Sequence, residues 1–309
     1  MQPINEIVFV NHFHNGDLHI SREFIRKIKK QFPQYAYGYA NRCDPYVLKD
    51  LGLNHYDSRS INFGSEYNGH LQIGNKMYLN TWYGACKGKF NCACGIAFDA
   101  LYSLFDHYLK AVFNSSIQAL DGDITKFFPT IDFSHYAIDS ARSYMDAAGP
   151  KWVKKIFFSN ATVLSGQAPE VSLAPMINQM AYKYQTDLFI YTNEDRGITP
   201  RHNVVCTKSI INKALSCDLN ENAYIAERSD IIVGNSSGAY TFALTQNNLF
   251  KLNKLMVSFS SIGKNDNKYW LGPVMSKIIN YNSRIMNFPI YNTDECISVL
   301  EGEIRCHFK

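Results

Sequence analysis

The sequence predicts an α/β fold of two Rossmann-like halves facing across a cleft, and three observations carry that expectation. Short, β-rich apolar runs alternate with stretches of helical periodicity along most of the chain. The alternation breaks at Gly149-Pro150 and then starts again. A chain of 309 residues also has the length of two ordinary domains. The expected division is therefore residues 1–150 and 151–309, each Rossmann-like.

The first half opens with EIVFV (6–10), a β-rich run that ends in the polar loop NHFHNGD. In LHISREFIRKIKKQF (18–32), Leu18, Phe24, Ile25, Ile28 and Phe32 recur at helical spacing, and Pro33 stops the helix. YAYGYA (35–40) reads as the next strand, which completes a βαβ unit. Residues 42–92 are irregular, with a hairpin expected around Ile73-Gly74-Asn75-Lys76 and a strand in MYLNTWY. Helices are expected from Gly95 to Phe113 and over 134–148, with strand-like IQAL before Asp121-Gly122-Asp123.

The second half repeats the rhythm. Strands are expected at 154–161, 187–193, 203–208, 230–234, 254–260 and 286–292. Helices are expected at 171–185, 218–228, 236–246 and 293–304.

Composition narrows the function classes. Twenty Tyr, 20 Phe and 3 Trp supply ample core material, so a disordered chain is excluded. A net charge of +4 without a long basic run is no nucleic-acid footprint. The apolar stretches fall short of the roughly 18 residues that a membrane span requires, leaving at most peripheral membrane association. The start, MQPINEIVFVNHFHNGD, lacks the charged and apolar regions of a signal peptide, so a cytoplasmic location is expected. Cys86, Cys92 and Cys94 cluster as C-x5-C-x-C, unlike paired zinc knuckles, and reduced thiols are expected there.

In doubly wound sheets ligands gather beyond the carboxyl ends of the strands. After the first strand stand Asn11, His12, Phe13, His14, Asn15, Gly16 and Asp17. Asp17 lies at or next to a helix N-cap, and capping alone accounts for an acid there. A carboxylate beside an imidazole and a positive helix end is also a general-base arrangement, with His12, His14 and Asp57 as alternatives. After DIIVG come Asn235, Ser236, Ser237 and Gly238, whose hydroxyls and backbone N–H groups suit a phosphate as well as an ordinary helix start. Glu221 could accept from ribose hydroxyls or act as a solvated helix-cap acid. Ser165, Gly166 and Gln167 form a further polar loop at a strand end, and Tyr191 could stack on a base or fill the core. Neither GxGxxG nor GxxxxGK[ST] occurs.

NGDLHISREFIRKIKKQFP resembles the N-terminal pattern of the heptosyltransferases, a Gly-Asp entering a helix that ends in K/R-x-F-P. SDIIVGNSSGAYTFAL resembles their donor-site pattern and the S-D-x-V-V-G-x-x-S-S element of fucosyltransferase-like enzymes, both of the GT-B fold. The resemblance implies that Gly16-Asp17 is the loop whose Asp acts as catalytic base; the loop itself puts His14 or His12 near that carboxylate, with His12, Asn15 and Gly16 on the acceptor side. It implies that Ser236, Ser237 and Gly238 contact the donor sugar and phosphate. Ser236 stands where the heptosyltransferase pattern has Asp, so the fold and reaction class carry over and the sugar does not.

The expectation is a metal-independent, inverting glycosyltransferase whose first half binds the acceptor and whose second half binds the nucleotide sugar. The acceptor is a glycan or a lipid-linked saccharide, and no cofactor is expected beyond the donor itself. Asp121-Gly122-Asp123 fits the letters of a metal-binding D-x-D motif and reads here as a surface turn. Two alternatives stand beside this reading: a nucleotide-sugar epimerase on the same scaffold, and a non-catalytic nucleotide-sugar or glycan-binding protein.

Overall fold

The computed structural model describes residues 2–62, 69–82, 97–161, 172–211, 215–235, 237–260, 284–289 and 293–307. Ser165, Gly166, Gln167, Ser236, Cys86, Cys92 and Cys94 lie outside the described residues. The described residues up to Thr130 form one compact unit and those from Ile131 onward a second, so the helix before Gly149-Pro150 belongs to the second.

The first unit is built on β1 (Glu6–Val10), α1 (Asn15–Gln31), β2 (Ala36–Asn41), β3 (Asn54–Asp57), the hairpin β4 (His70–Ile73) and β5 (Lys76–Asn80), and α2 (Ala97–Phe113). Its sheet runs β3-β2-β1-β5-β4, parallel except for the β4–β5 pair. The expected hairpin is present, turned by Gly74 at φ +59°, a left-handed conformation that glycine adopts without strain. Every residue of β1 is buried, as a central parallel strand covered on both faces requires. Phe9 meets Tyr37, Tyr39 and Phe105, and Phe24 of α1 stacks on Phe105 and Phe127 at 4.7 and 4.8 Å. The segment IQAL is a helical turn, α3 (Ile117–Leu120), because the Ser116 hydroxyl accepts from Ala119 N–H and starts it. Asp121 is paired with Lys27 at 3.3 Å and Lys126 at 3.4 Å, while Asp123 accepts from Thr125 N–H. The two carboxylates therefore serve an ion-paired turn.

The second unit contains α4 (Asp139–Ala148), β6 (Lys155–Ser159), α5 (Ala174–Lys183), β7 (Leu188–Tyr191), β8 (Val204–Cys206), α6 (Leu219–Glu227), β9 (Ile231–Asn235), α7 (Gly238–Thr241), β10 (Leu255–Ser260), β11 (Arg284–Pro289) and α8 (Thr293–His307). Its parallel sheet runs β11-β10-β9-β6-β7-β8. Counted within the unit this is the 3-2-1-4-5-6 order of a dinucleotide-binding Rossmann sheet, with its switch point between β6 and β9. One face packs Ile156, Phe158, Phe189, Val233 and Val257 against α5 and α8. Two expected helices are shorter than their periodicity. Residues 133–135 form a separate 3-10 turn, capped by Asp132, ahead of α4. The helix expected over 236–246 is the single turn α7, followed by a π-helical turn at Asn247–Lys251. Asn248 Nδ2 donates to Ala243 O at 2.8 Å, so a side chain caps the carbonyl that a continuing helix would use.

Candidate active site

In the first unit the three central parallel strands leave the sheet by one device. Asn11, Asn41 and Asn80, each at or just past a strand end, turn the chain as their Oδ1 atoms accept from the N–H two residues on. These bonds go to Phe13 at 2.8 Å, Cys43 at 2.7 Å and Trp82 at 2.8 Å. Asn11 also donates to Thr81 Oγ1 at 3.3 Å, and Thr81 shares a 2.6 Å hydrogen bond with the hydroxyl of buried Tyr39. The three strand ends are thereby tied into one polar floor. Above it Phe13 stacks on Trp82 at 4.3 Å, and Phe13 remains 42% exposed.

Helix α1 is capped at His14 and begins at Asn15, three residues earlier than the apolar spacing alone implies. Asp17 is thus its third residue, not its cap. The His14 N–H donates to Asp17 Oδ2 at 3.3 Å, the reciprocal half of a capping box. Among the described residues no ion pair joins Asp17 to a lysine or arginine. Burial raises its carboxyl above the ordinary carboxylate value, opposed by the His14 N–H and imidazole. The Cys43 thiol is pushed up to about 11, first by burial and then by the charges of Asp17 and Asp44, which places Cys43 beside the same carboxylate. Burial and then Arg42 hold His12 below its ordinary value, so its imidazole is neutral near pH 7. His14 is exposed, while Asn15 is half-buried and Gly16 buried within the first turn. Asp57 is occupied elsewhere: its exposed carboxylate is clasped by Arg59, which lowers its pKa to about 2. A pocket of about 420 Å³ opens on the β2–β3 side of this edge, lined by Leu18, Tyr39, Asn41, Tyr46, Lys49 and His55 among others.

In the second unit a pocket of about 50 Å³ lies at the carboxyl ends of β6, β7 and β9. Ser159, Ala161, Thr192, Asn193, Asn222 and Ala239 line it. Asn160 fixes its rim: Oδ1 accepts from Thr192 N–H at 2.9 Å and Asn193 N–H at 2.8 Å, and Nδ2 donates to Asn193 O at 2.8 Å. Gly234 lets α7 close over β9, because a Cβ there would stand 2.7 Å from Tyr240 Cδ2 and 3.0 Å from Ser159 Cβ. Ser237 caps α7, its Oγ accepting from Tyr240 N–H at 3.2 Å, so this hydroxyl is committed to the turn. Asn235 is buried, and Gly238 begins α7 half-buried.

Two expected donor residues stand off this pocket. Tyr191 packs against the core on the α5 and α8 side. Glu221 is fully buried, not a solvated cap, and lies off the stripe of Leu219, Asn222, Ala223 and Ala226 by which α6 lines the pocket. The asparagine turns were missed at sequence level, although an Asn at the end of each β-rich run was a readable signal.

No family model and no curated protein matches this chain. Solved structures do. A family 9 glycosyl transferase from Veillonella parvula aligns at 12% identity and a TM-score of 0.52, covering 97% of this chain and 89% of that one. The E. coli heptosyltransferase WaaC with ADP aligns at 10% identity and a TM-score of 0.52, over 96% and 99%. The fold is that of the GT-B glycosyltransferases. The alignments run through both units. No helix among the described residues is long and apolar enough to cross a membrane.

Proposed function

We propose that this protein is a glycosyltransferase that moves a sugar from a nucleotide diphosphate donor to a hydroxyl of a glycan or lipid-linked acceptor, with inversion and without a metal. The observation that carries the reading is Asp17: a half-buried carboxylate at the carboxyl end of a central strand, without a lysine or arginine partner among the described residues, and raised in pKa by burial. A purely structural cap has no use for that raised basicity, whereas a general base gains from a pKa nearer the working pH. In the proposed reaction Asp17 takes the acceptor proton as the acceptor oxygen attacks the anomeric carbon, and the nucleoside diphosphate leaves from the opposite face. One displacement without a glycosyl-enzyme intermediate inverts the configuration.

The acceptor is assigned to the first unit, where the Phe13–Trp82 pair offers an aromatic platform and the pocket beside Asn41 offers room for a saccharide. The donor is assigned to the second unit, at the β6–β9 switch point, the crevice where doubly wound sheets take nucleotides. The backbone N–H groups of Ser237 and Gly238 are the phosphate contacts in this reading. A one-turn α7 contributes little macrodipole, so the contact rests on individual N–H groups. WaaC is described with ADP, which agrees with a diphosphate leaving group. The cytoplasm, where nucleotide sugars are available, is the proposed location.

The deciding experiment incubates the protein with UDP-, GDP- and ADP-linked sugars and follows nucleotide release and the released sugar. A transferase releases nucleotide from one donor, slowly with water and faster with a saccharide acceptor. Isomerisation of the sugar, or binding without turnover, assigns the fold to an epimerase or a binding protein instead.

A further inference from the structure

We propose that the amino-terminal edge of the second sheet is a docking surface for an anionic lipid bilayer. The inference is independent of the glycosyltransferase reading. Among the described residues the two most exposed large apolar side chains are Val153, 71% exposed, and Tyr182, 65% exposed. Both lie on this edge. Val153 N–H donates to Thr186 O at 3.0 Å, which joins the start of β6 to the loop that leaves α5, and Tyr182 lies in the last turn of α5.

Cations surround these side chains. The Lys151 ammonium lies 4.8 Å from the Trp152 ring centroid, and the His202 ring lies tilted against the same indole at 5.8 Å. The Arg201 guanidinium lies 5.2 Å from the centre of the Tyr182 ring. The acids of the same edge are engaged within the fold. Asp187 is buried, Glu301 is bound by Lys183 at 2.8 Å, Asp230 faces Lys155 at 3.5 Å, Glu227 accepts from Thr245 Oγ1 at 2.7 Å and Asn247 Nδ2 at 2.9 Å, and Glu303 is half-buried on α8. The exposed acid nearest in sequence, Asp146, belongs to the preceding helix.

Exposed Val153 and Tyr182 beside a half-buried Trp152, interleaved with Lys and Arg, are the chemistry of a membrane interface. Amphipathic rings sit at headgroup depth, and cations meet lipid phosphates. A nucleic acid would demand a longer run of charge. The edge is also the right one to be covered. The small pocket of the second unit opens at the other end of the same strands, about 16 Å away along the five residues of β6. Docking leaves it open.

The test floats the full-length protein with vesicles of phosphatidylcholine alone and of phosphatidylcholine carrying about a third phosphatidylglycerol, at low and high salt. Binding to the anionic vesicles at least about tenfold above the neutral ones, lost at high salt, is expected. Lys151→Glu with Arg201→Glu should remove it, and Trp152→Ala with Val153→Ser should weaken it. The parent's melting temperature must be kept in both, and a variant that melts early is replaced by Lys151→Gln with Arg201→Gln. Equal binding to neutral vesicles, no binding, or variants that bind like the parent would overturn the proposal. Self-association abolished by the same variants, without vesicle binding, would overturn it in favour of a contact between copies.

Discussion

At the scale of single residues, the same carboxylate serves a capping box and the proposed chemistry, and the two roles separate on substitution. Asp17→Asn keeps an oxygen that can accept from His14 N–H, so α1 should remain formed. Loss of general-base assistance should lower kcat by about 10²-fold or more, while donor Kd stays constant. A melted variant with full turnover per folded molecule would reduce Asp17 to a cap. The raised pKa adds a signed expectation. The stabilising contribution of the protonated form is fully present below the unfolded value near 3.8 and is lost as pH rises through the folded value, so the Asn variant should be no less stable than the parent at pH 7. For the same reason the acid limb of kcat/KM should lie above the ordinary aspartate range and disappear in the variant. A second residue-scale feature is structural. Arg22 and Asp50 are ion-paired at 2.6 Å with both side chains fully buried, and Arg22 also donates to Val47 O at 2.6 Å. Asp50→Ala leaves a buried guanidinium without its counter-charge and should cost about 3–5 kcal/mol in urea unfolding. Asp17 and His14 were legible in the sequence because a Gly-Asp after a strand is conspicuous. The Arg22–Asp50 pair was not, because it joins residues 28 apart through a 3-10 segment that lacks a periodic signal.

At the scale of elements, legibility followed length and periodicity. The 17-residue α1 and α2 were read closely, as were the buried strands, because burial on both faces leaves only apolar residues to read. The shorter α7 was overread: SSGAYTFALTQ has helical spacing, but Asn248 and the Ser237 cap terminate the turn through hydrogen bonds that no periodicity reveals. One clamp was likewise invisible. Lys254 is buried and donates to Ala226 O at 2.8 Å, Glu227 O at 2.8 Å and Ser229 O at 2.5 Å, closing the end of α6 against β10. Burial pushes its amine down to about 7. Lys254→Met fills the space but leaves three carbonyls without their donor, and should lower stability by about 1–3 kcal/mol, read from the urea midpoint. The donor element has its own test. Gly238→Val should crowd the backbone N–H groups of α7 and raise the nucleotide diphosphate Kd at least tenfold, about 1.4 kcal/mol. An unchanged Kd in a folded variant would move the diphosphate off α7.

At the scale of the whole molecule, each unit has its own sheet and its own core, so the assignment of donor to one and acceptor to the other is a statement about which unit a nucleotide protects. The sequence shows two α/β arrays because each restarts the alternation of buried strand and amphipathic helix. It does not show strand order, which depends on pairings between residues far apart, and the 3-2-1-4-5-6 order of the second unit is what selects β6 and β9 as the crevice. A ligand that binds only native protein stabilises it by RT ln(1 + [L]/Kd), about 2.7 kcal/mol at 100 times Kd. With the matching nucleoside diphosphate at that excess, hydrogen exchange should slow at the ends of β6 and β9, around Ser159, Asn160, Asn235 and Gly238, and in the pocket-lining face of α6. The backbone from Asn11 to Leu18 should change less, because without acceptor the first unit holds nothing that the nucleotide replaces. Protection concentrated at Asn11–Leu18 instead would put the nucleotide on the first unit and reverse the assignment. Asp17 could then no longer be the base that meets the acceptor, since it would lie against the leaving group.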